Sequence, residues 1–234
     1  MHDFLPPPPP GYLTSSSYVL TPRTKRAFHT VLDAANILDL AGNGRSTVTF
    51  APSGDGFSLA LEHPLKTGRI TESLHCHVDQ SNVRGGAFRR ELFDHTDTRV
   101  RLEEADHKSN TLGLPPNLYP EVALPFMLGW LPYDKKARSF HAWINDRFVA
   151  RVYVEQGKTS TLRVPAGQLE VLDVEMYPDL NDWVNVGATV AKLMRPLVPK
   201  YRMSYETKAP FRLVRFEGPY GPPGAPEVVL ELAT

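Results

Sequence analysis

The chain contains 234 residues with a mass of 26.2 kDa, and 41% of them are hydrophobic, which is typical of a soluble globular protein of one domain or two small ones. Its 26 basic and 26 acidic residues give a formal net charge of zero, so it lacks the positive field of a general nucleic-acid binder. A nucleic-acid partner is therefore not expected. The single cysteine, Cys76, excludes an intramolecular disulfide and a zinc site built from several cysteines.

Hydropathy along the chain argues against a membrane span. Every apolar stretch is shorter than the ~20 residues that a helix needs to cross a bilayer, since proline, glycine or charged residues interrupt each one. The first residues show neither the basic nor the apolar region of a signal peptide. We therefore expect a cytoplasmic protein if this N-terminus is native, and an envelope-associated protein if a leader was removed.

The N-terminal region divides into an arm and a helix. Consecutive prolines at 6–10 favour a polyproline II conformation, so residues 1–20 are predicted to form a proline-rich arm. Thr21 and Pro22 then supply an N-cap and a first helical residue, and apolar residues follow at helical spacing. This pattern predicts an amphipathic helix over residues 22–39.

From about residue 46 onward, the hydrophobic period shortens from that of a helix to that of a strand. Apolar side chains alternate with polar or small ones in about ten short segments, which Gly, Pro, Asn and Asp turn signals separate. The first clear example is the set Phe57, Leu59 and Leu61. The segments predict a mainly β protein with a strongly curved antiparallel sheet, either an open barrel or a β-roll.

Helical spacing and turn residues complete this picture. Two short helices, over 118–130 and 183–197, are predicted to interrupt the strands. Tight hairpins are predicted at 145–146 and at 165–167, where turn residues separate two alternating segments. Because no composition shift marks a boundary, residues 21–234 are assigned to a single β-rich domain.

The carboxyl half resembles a known family of bacterial β-rich domains. Four segments carry the resemblance, at residues 146–155, 161–174, 200–205 and 211–217. They contain a strand with a Val-Pro-Ala-Gly turn, an aromatic-rich strand end and a closing strand. In this arrangement, residues 138–232 resemble the domain-of-unknown-function family numbered 3108. The resemblance implies a curled antiparallel sheet, commonly associated with the cell envelope, and no established reaction.

A curved sheet of this size has a concave side, which either fills with side chains or admits one small apolar ligand. Aromatic side chains on several strands are predicted to line that side: Trp143, Tyr153, Tyr177, Tyr201 and Tyr205. The first hypothesis is therefore a non-catalytic protein that binds an apolar or lipid-like small molecule.

The concave side of the sheet would also suit the active site of an enzyme. Across the predicted hairpin, His141 lies beside Arg151, with Tyr153 on the same strand as Arg151 and Glu175 on the next strand. These acid and base groups suit an isomerase, cyclase or hydratase that acts on an apolar substrate, which is the alternative hypothesis. A cluster of side chains across two strands with no catalytic role is the simpler interpretation.

His75 and His77 form the sharpest local signal. Because they lie two residues apart on a predicted strand, they face the same side, and both imidazoles can reach one metal ion. The strand pattern places both on the polar face, which favours solvent-facing side chains, so no metal and no other cofactor is expected. In a metal site, a third ligand would come from another segment, such as His95, His63 or Asp79.

Overall fold

The computed structural model describes residues 3–22, 45–65, 68–79, 82–106, 114–134, 136–145, 148–179, 200–219 and 227–234. These residues contain thirteen strands: β1 (Ser15–Pro22), β2 (Ser46–Ser53), β3 (Gly56–Leu65), β4 (Gly68–Asp79), β5 (Asn82–Asp94), β6 (Arg99–Asp106), β7 (Leu118–Pro120), β8 (Arg138–Asn145), β9 (Phe148–Val164), β10 (Gly167–Pro178), β11 (Tyr201–Glu206), β12 (Leu213–Pro219) and β13 (Glu227–Leu232). One short helix, α1 (Leu124–Met127), is continued by a 3₁₀ turn, Leu128–Trp130.

All thirteen strands belong to one sheet, in the order β6-β5-β4-β3-β2-β1-β13-β12-β11-β10-β9-β8-β7. Neighbouring strands are antiparallel, apart from the parallel pair β7 and β8. Because β1 pairs with β13, the first and last strands of the chain meet in the middle of the sheet. The prediction of a mainly β protein with an antiparallel sheet is confirmed, and the sheet is not closed into a barrel.

Period-two alternation accounts for the strands. In β3, the side chains of Phe57, Leu59 and Leu61 are buried, while the residues between them are more exposed. The predicted hairpin at 165–167 is also present, since Val164 pairs with Gly167 across a two-residue turn. Strands β8 and β9 pair antiparallel, as the other predicted hairpin requires, although its turn lies partly outside the described residues.

The N-terminal residues contribute more to the sheet than predicted. Strand β1 lies between β2 and β13, so the end of the predicted arm at 1–20 is part of the sheet, and Pro22 ends a strand instead of starting a helix. Alternation explains this difference, because alternate side chains over residues 16–20 are buried: Ser16, Tyr18 and Leu20.

The details of the predicted helices are not confirmed. Within 118–130, the first three residues form β7, and only Leu124–Met127 and the following 3₁₀ turn are helical. Two prolines in this segment lack the N–H that a continuous helix needs. The predicted helices over 22–39, apart from Pro22, and over 183–197 lie outside the described residues. No helical segment among the described residues is long and apolar enough to cross a bilayer.

The short helix lies on the concave side of the sheet, where it forms the centre of the core. Every residue from 122 to 131 is buried. The Tyr205 hydroxyl on β11 donates a hydrogen bond to the Pro125 carbonyl of α1. On the β1 side, the Tyr18 ring packs edge-on against Phe126, with the ring centroids 5.7 Å apart. The sheet therefore wraps around α1.

Curvature also brings together strands from opposite ends of the sheet. The Tyr119 hydroxyl on β7 donates a hydrogen bond to the Val83 carbonyl on β5 at 2.7 Å. The Leu5 N–H donates to the same Tyr119 hydroxyl at 3.3 Å, and Leu5 pairs with Val83. These contacts join the two ends of the sheet through side chains and the N-terminal segment, without a continuous ring of strand pairing.

Candidate functional site

An apolar pocket lies between α1 and the strands that curve around it. Its volume is about 40 Å³, and strands β8 to β13 provide most of its wall. A concave apolar wall with a few polar groups is typical of small-molecule sites. Thirteen of the fifteen lining residues are apolar: Val122, Pro125, Phe126, Ala142, Ile144, Ala150, Val152, Met176, Pro178, Leu213, Phe216, Pro219 and Leu230.

The two polar side chains at this pocket are Glu121 and Tyr201. Only 14% of the Glu121 side chain is exposed, and its Oε2 atom is buried with no hydrogen-bond partner among the described residues. Burial raises the pKa of the Glu121 carboxyl to about 8, against the opposing effect of Arg90. At neutral pH this carboxyl is therefore mostly protonated, and it can both donate and accept a hydrogen bond.

Arg90 connects Glu121 to a cluster of charged side chains that extends from the interior to the surface. The Arg90 guanidinium lies 2.5 Å from Glu72, 3.1 Å from Glu103 and 3.7 Å from Glu121. Arg101 also forms an ion pair with Glu103. Two cations therefore face three carboxyls in this cluster, and protonation of Glu121 makes it electrically neutral. This balance is consistent with the raised pKa of Glu121.

The parallel pairing of β7 with β8 positions Glu121 at the pocket. Glu121 directly follows β7, and its N–H donates to the Trp143 carbonyl at 3.0 Å, which extends the pairing by one residue. The Ala123 N–H then donates to the Pro120 carbonyl at 3.1 Å, and this turn leads into α1. The carboxyl group is thus fixed between a strand end and a buried helix.

Glu121 is not among the residues predicted from the sequence, although a signal for it exists. Residues 118–131 contain one charged side chain, Glu121, among residues that are otherwise apolar. Glutamate is seldom buried unless it has a partner or a role. A lone charge inside a segment that must be buried is therefore the pattern that points to this residue.

Among the five aromatic residues predicted to bind a ligand, Tyr201 lines the pocket. Burial, and to a lesser degree the Glu121 charge, raises the pKa of the Tyr201 phenol. Tyr205 is fully buried, and its hydroxyl is hydrogen-bonded to α1, so it positions the helix. Trp143 packs against Phe88, with ring centroids 5.2 Å apart, and is not part of the pocket wall.

Tyr153 and Tyr177 lie side by side on the other face of β9 and β10, with ring centroids 5.7 Å apart. Their neighbours along each strand line the pocket, so alternation directs the two tyrosines away from it. The Tyr153 hydroxyl donates to Asp179 at 3.0 Å, and the Tyr177 hydroxyl donates to Glu155. Both therefore belong to a polar surface of the sheet.

The predicted acid and base groups also lie outside the pocket wall. His141 pairs in register with Arg151, as predicted, and its Nδ1 lies 2.7 Å from the Asn117 side-chain oxygen. Glu175 is 38% exposed and forms an ion pair with Lys200 at 2.8 Å. Neither these groups nor Tyr153 line the pocket, so a catalytic role for them at this pocket is not supported.

His75 and His77 lie on one side of β4, as predicted, and Cys76 is buried on the other. Asp55, which is not among the residues predicted from the sequence, lies beside both. Its Oδ1 atom is 2.7 Å from Nδ1 of His77 and 3.7 Å from Nε2 of His75. The donor atoms of these three residues all lie within 4.8 Å of one another.

The residues proposed from the sequence as a third ligand lie elsewhere. His63 is fully buried and hydrogen-bonded to Ser46 at 2.8 Å, and burial lowers its pKa. His95 is exposed in the turn between β5 and β6. Asp79 lies at the end of β4, where it forms an ion pair with Arg84 at 3.7 Å.

Comparison with known proteins gives two structural similarities. No protein-family model and no curated protein matches the chain. A candidate lipoprotein from Parabacteroides distasonis is 12% identical, with 100% of this chain and 98% of that one covered and a TM-score of 0.32. A candidate exported protein with a YmcC-like fold from Bacteroides fragilis is 12% identical, with 98% and 97% covered and a TM-score of 0.29. These TM-scores are low, so neither similarity assigns a fold family or a function, and the resemblance noted for residues 138–232 stays a prediction.

Proposed function

We propose that this protein binds a small apolar molecule, or the apolar end of a lipid-like one, in the pocket beside α1. The observation that carries the proposal is the Glu121 carboxyl, which lines an otherwise apolar pocket. Its Oε2 atom is buried and has no hydrogen-bond partner in the described part of the chain. Because a buried polar atom without a partner costs free energy, a ligand that supplies the missing hydrogen bond would remove that cost.

The volume of the pocket limits the group that it can hold. A cavity needs a volume of roughly 10–15 Å³ to hold one buried water, and the volume of this pocket is about 40 Å³. It therefore admits roughly three or four groups of that size. A short alkyl chain that ends in one oxygen atom has these dimensions, and the remainder of a longer molecule would stay outside the pocket.

The protonated state of Glu121 favours a neutral ligand. Below a pH of about 8 the carboxyl retains its proton, so it can donate to a hydroxyl or carbonyl oxygen of the ligand. Above that pH, an ionised Glu121 adds a negative charge beside Glu72 and Glu103 and no longer donates. We therefore expect affinity for a neutral ligand that can only accept a hydrogen bond, such as a ketone, to fall as the pH rises through about 8.

A series of 1-alkanols from ethanol to hexanol tests the proposal, with binding at pH 7 followed by NMR chemical shifts. Each methylene that enters the pocket is expected to strengthen binding by about 0.8 kcal/mol, up to about three carbons. The variant Glu121→Leu, which removes the polar partner, is expected to weaken binding by about tenfold. Glu121→Gln keeps a donor and an acceptor, so it should bind with no dependence on pH near 8.

Glu175→Leu is the matched control, because Glu175 is an exposed carboxylate on the face of β10 away from the pocket. This variant is expected to bind alkanols like the unchanged protein. Equal affinities of Glu121→Leu and the unchanged protein, or no binding of any alkanol, would contradict the proposal.

A further inference from the structure

A second cluster of side chains lies outside the pocket and has no part in the proposed function. It consists of Asp55, from the turn between β2 and β3, and of His75 and His77 on β4. The Asp55 side chain is 66% exposed, whereas His75 and His77 are 28% and 18% exposed. The two imidazole rings lie 4.5 Å apart and nearly perpendicular. Two half-buried imidazoles and one carboxylate thus meet at the surface of the sheet.

Backbone pairing fixes the position of each member of this cluster. His75 and His77 are held by the ladder between β3 and β4, in which His77 pairs with Gly56. The Asp55 carbonyl accepts a hydrogen bond from the Val78 N–H at 3.2 Å, so the turn that carries Asp55 is attached to β4. Backbone hydrogen bonds therefore hold the three side chains close together.

Glycines provide the space that this convergence needs. A Cβ atom at Gly56 would lie 1.9 Å from the Cys76 carbonyl oxygen, so only glycine allows the turn to approach β4 this closely. A Cβ atom at Gly86, on β5, would lie 3.0 Å from Nε2 of His77. Gly86 belongs to a bulge in β5, at the register shift between Leu74 and Cys76. The His77 ring therefore occupies the space that a side chain at Gly86 would fill.

We propose that Asp55, His75 and His77 bind a divalent transition-metal ion of the zinc class. Imidazole nitrogen and carboxylate oxygen are the ligands that zinc takes at about 2.0–2.2 Å, and tetrahedral geometry then separates two ligand atoms by about 3.3 Å. The observed separations, 2.7 Å from Asp55 to His77 and 3.7 Å from Asp55 to His75, lie on either side of this value. The metal would replace the hydrogen bond between Asp55 and His77, and the exposure of Asp55 leaves one coordination position open to water.

Zinc titration of the full chain, produced without a polyhistidine tag, tests this site. With a coloured zinc chelator as competitor, one zinc ion per chain is expected to bind. Each of the variants Asp55→Asn, His75→Gln and His77→Gln should bind zinc at least about tenfold more weakly, since even the loss of a residue that only supports a ligand costs that much. Circular dichroism of each variant confirms that the sheet is intact.

His95→Gln is the matched control, because His95 is exposed in the turn between β5 and β6. This variant should retain the zinc affinity of the unchanged protein, and NMR signals of the His75 and His77 rings, but not of His95, should shift when zinc is added. Zinc binding that survives His75→Gln and His77→Gln together, or that His95→Gln weakens equally, would overturn the proposal. So would the absence of binding by the unchanged protein. None of these outcomes bears on the apolar pocket, which involves other residues.

Discussion

Arg90 is a largely buried cation on which several carboxyls depend. Its side chain is 18% exposed, and that of its closest partner, Glu72, is 2% exposed. The Oε2 atom of Glu72 is also buried and lacks a hydrogen-bond partner within the described ranges. Removal of Arg90 would therefore leave a buried carboxylate without its counter-charge, which is the most damaging change that can be made to a buried ion pair.

The variant Arg90→Met is expected to lower the free energy of unfolding by about 3–5 kcal/mol, measured by urea denaturation. The Arg90 guanidinium lies over the Phe88 ring, and methionine keeps an unbranched chain near that ring but removes the charge. Arg101→Met is the control, because Arg101 is 48% exposed and pairs with Glu103 at the surface. Its loss should cost less than about 1 kcal/mol. Equal losses in the two variants would contradict the distinction between buried and exposed pairs.

At the scale of single elements, α1 is held in place by the strands around it and not by its own length. Four residues are too few for an independently stable helix. The Tyr205 hydroxyl satisfies the Pro125 carbonyl from β11. A Cβ atom at Gly129 would lie 2.3 Å from the Phe211 carbonyl oxygen, so the chain after α1 also lies directly against its neighbours.

Tyr205→Phe is expected to lower the free energy of unfolding by about 1–3 kcal/mol, because it leaves the buried Pro125 carbonyl without this donor. Thermal or urea denaturation measures the loss. Tyr12→Phe serves as the control, since Tyr12 contributes ring packing against Phe57 and Trp130, which phenylalanine retains. That variant should stay within about 0.5 kcal/mol of the unchanged protein. A Tyr205→Phe variant of unchanged stability would show that the hydrogen bond does not hold α1.

The strands follow from the sequence, whereas the two candidate sites do not follow as directly. Alternation in β3 and the hairpin between β9 and β10 are local patterns, and both are confirmed. The position of Glu121 depends on parallel pairing of β7 with β8, which no turn between them specifies. The position of Asp55 could be predicted from the sequence. Pairing of Leu65 with Gly68 sets the register that places Gly56 opposite His77, and Asp55 directly precedes Gly56.

At the scale of the whole molecule, the sequence predicts a curved sheet with a concave side, and the structure shows which residues occupy most of that side. The apolar residues 122–131 are all buried on the concave side of the sheet, which leaves a pocket of about 40 Å³. Period-two alternation indicates which segments form strands and which of their faces is buried, but not what fills the space that the sheet encloses. The sequence predicts a site for an apolar or lipid-like molecule, whereas the pocket is large enough only for the apolar end of a lipid-like one.

The pKa of Glu121 affects the stability of the whole protein. Its value of about 8 in the folded state lies above the ordinary value of 4.5, so between these pH values the folded chain keeps a proton that the unfolded chain loses. Stability therefore falls as the pH rises through this range, by at most about 1.4 kcal/mol per pH unit. Below about 4.5 and above about 8, Glu121 contributes no further dependence on pH.

Urea denaturation of the unchanged protein and of Glu121→Gln between pH 5 and about 9 measures this effect. The difference between the two free energies of unfolding isolates Glu121, because His63 and the other titrating groups are common to both proteins. We expect the unchanged protein to lose stability relative to Glu121→Gln as the pH rises to about 8, and the difference then to remain constant. A difference that does not vary with pH would contradict the raised pKa.

The most direct test of the central proposal is an NMR titration of the Glu121 side-chain carboxyl carbon, with and without 2-butanone, whose oxygen can only accept a hydrogen bond. A midpoint at about pH 8 is expected for the free protein. Because the ketone can accept a hydrogen bond only from the protonated carboxyl, bound 2-butanone should raise the midpoint further. A midpoint near 4.5, the ordinary value for glutamate, or a midpoint that 2-butanone leaves unchanged, would contradict the proposal that Glu121 binds the polar group of an apolar ligand.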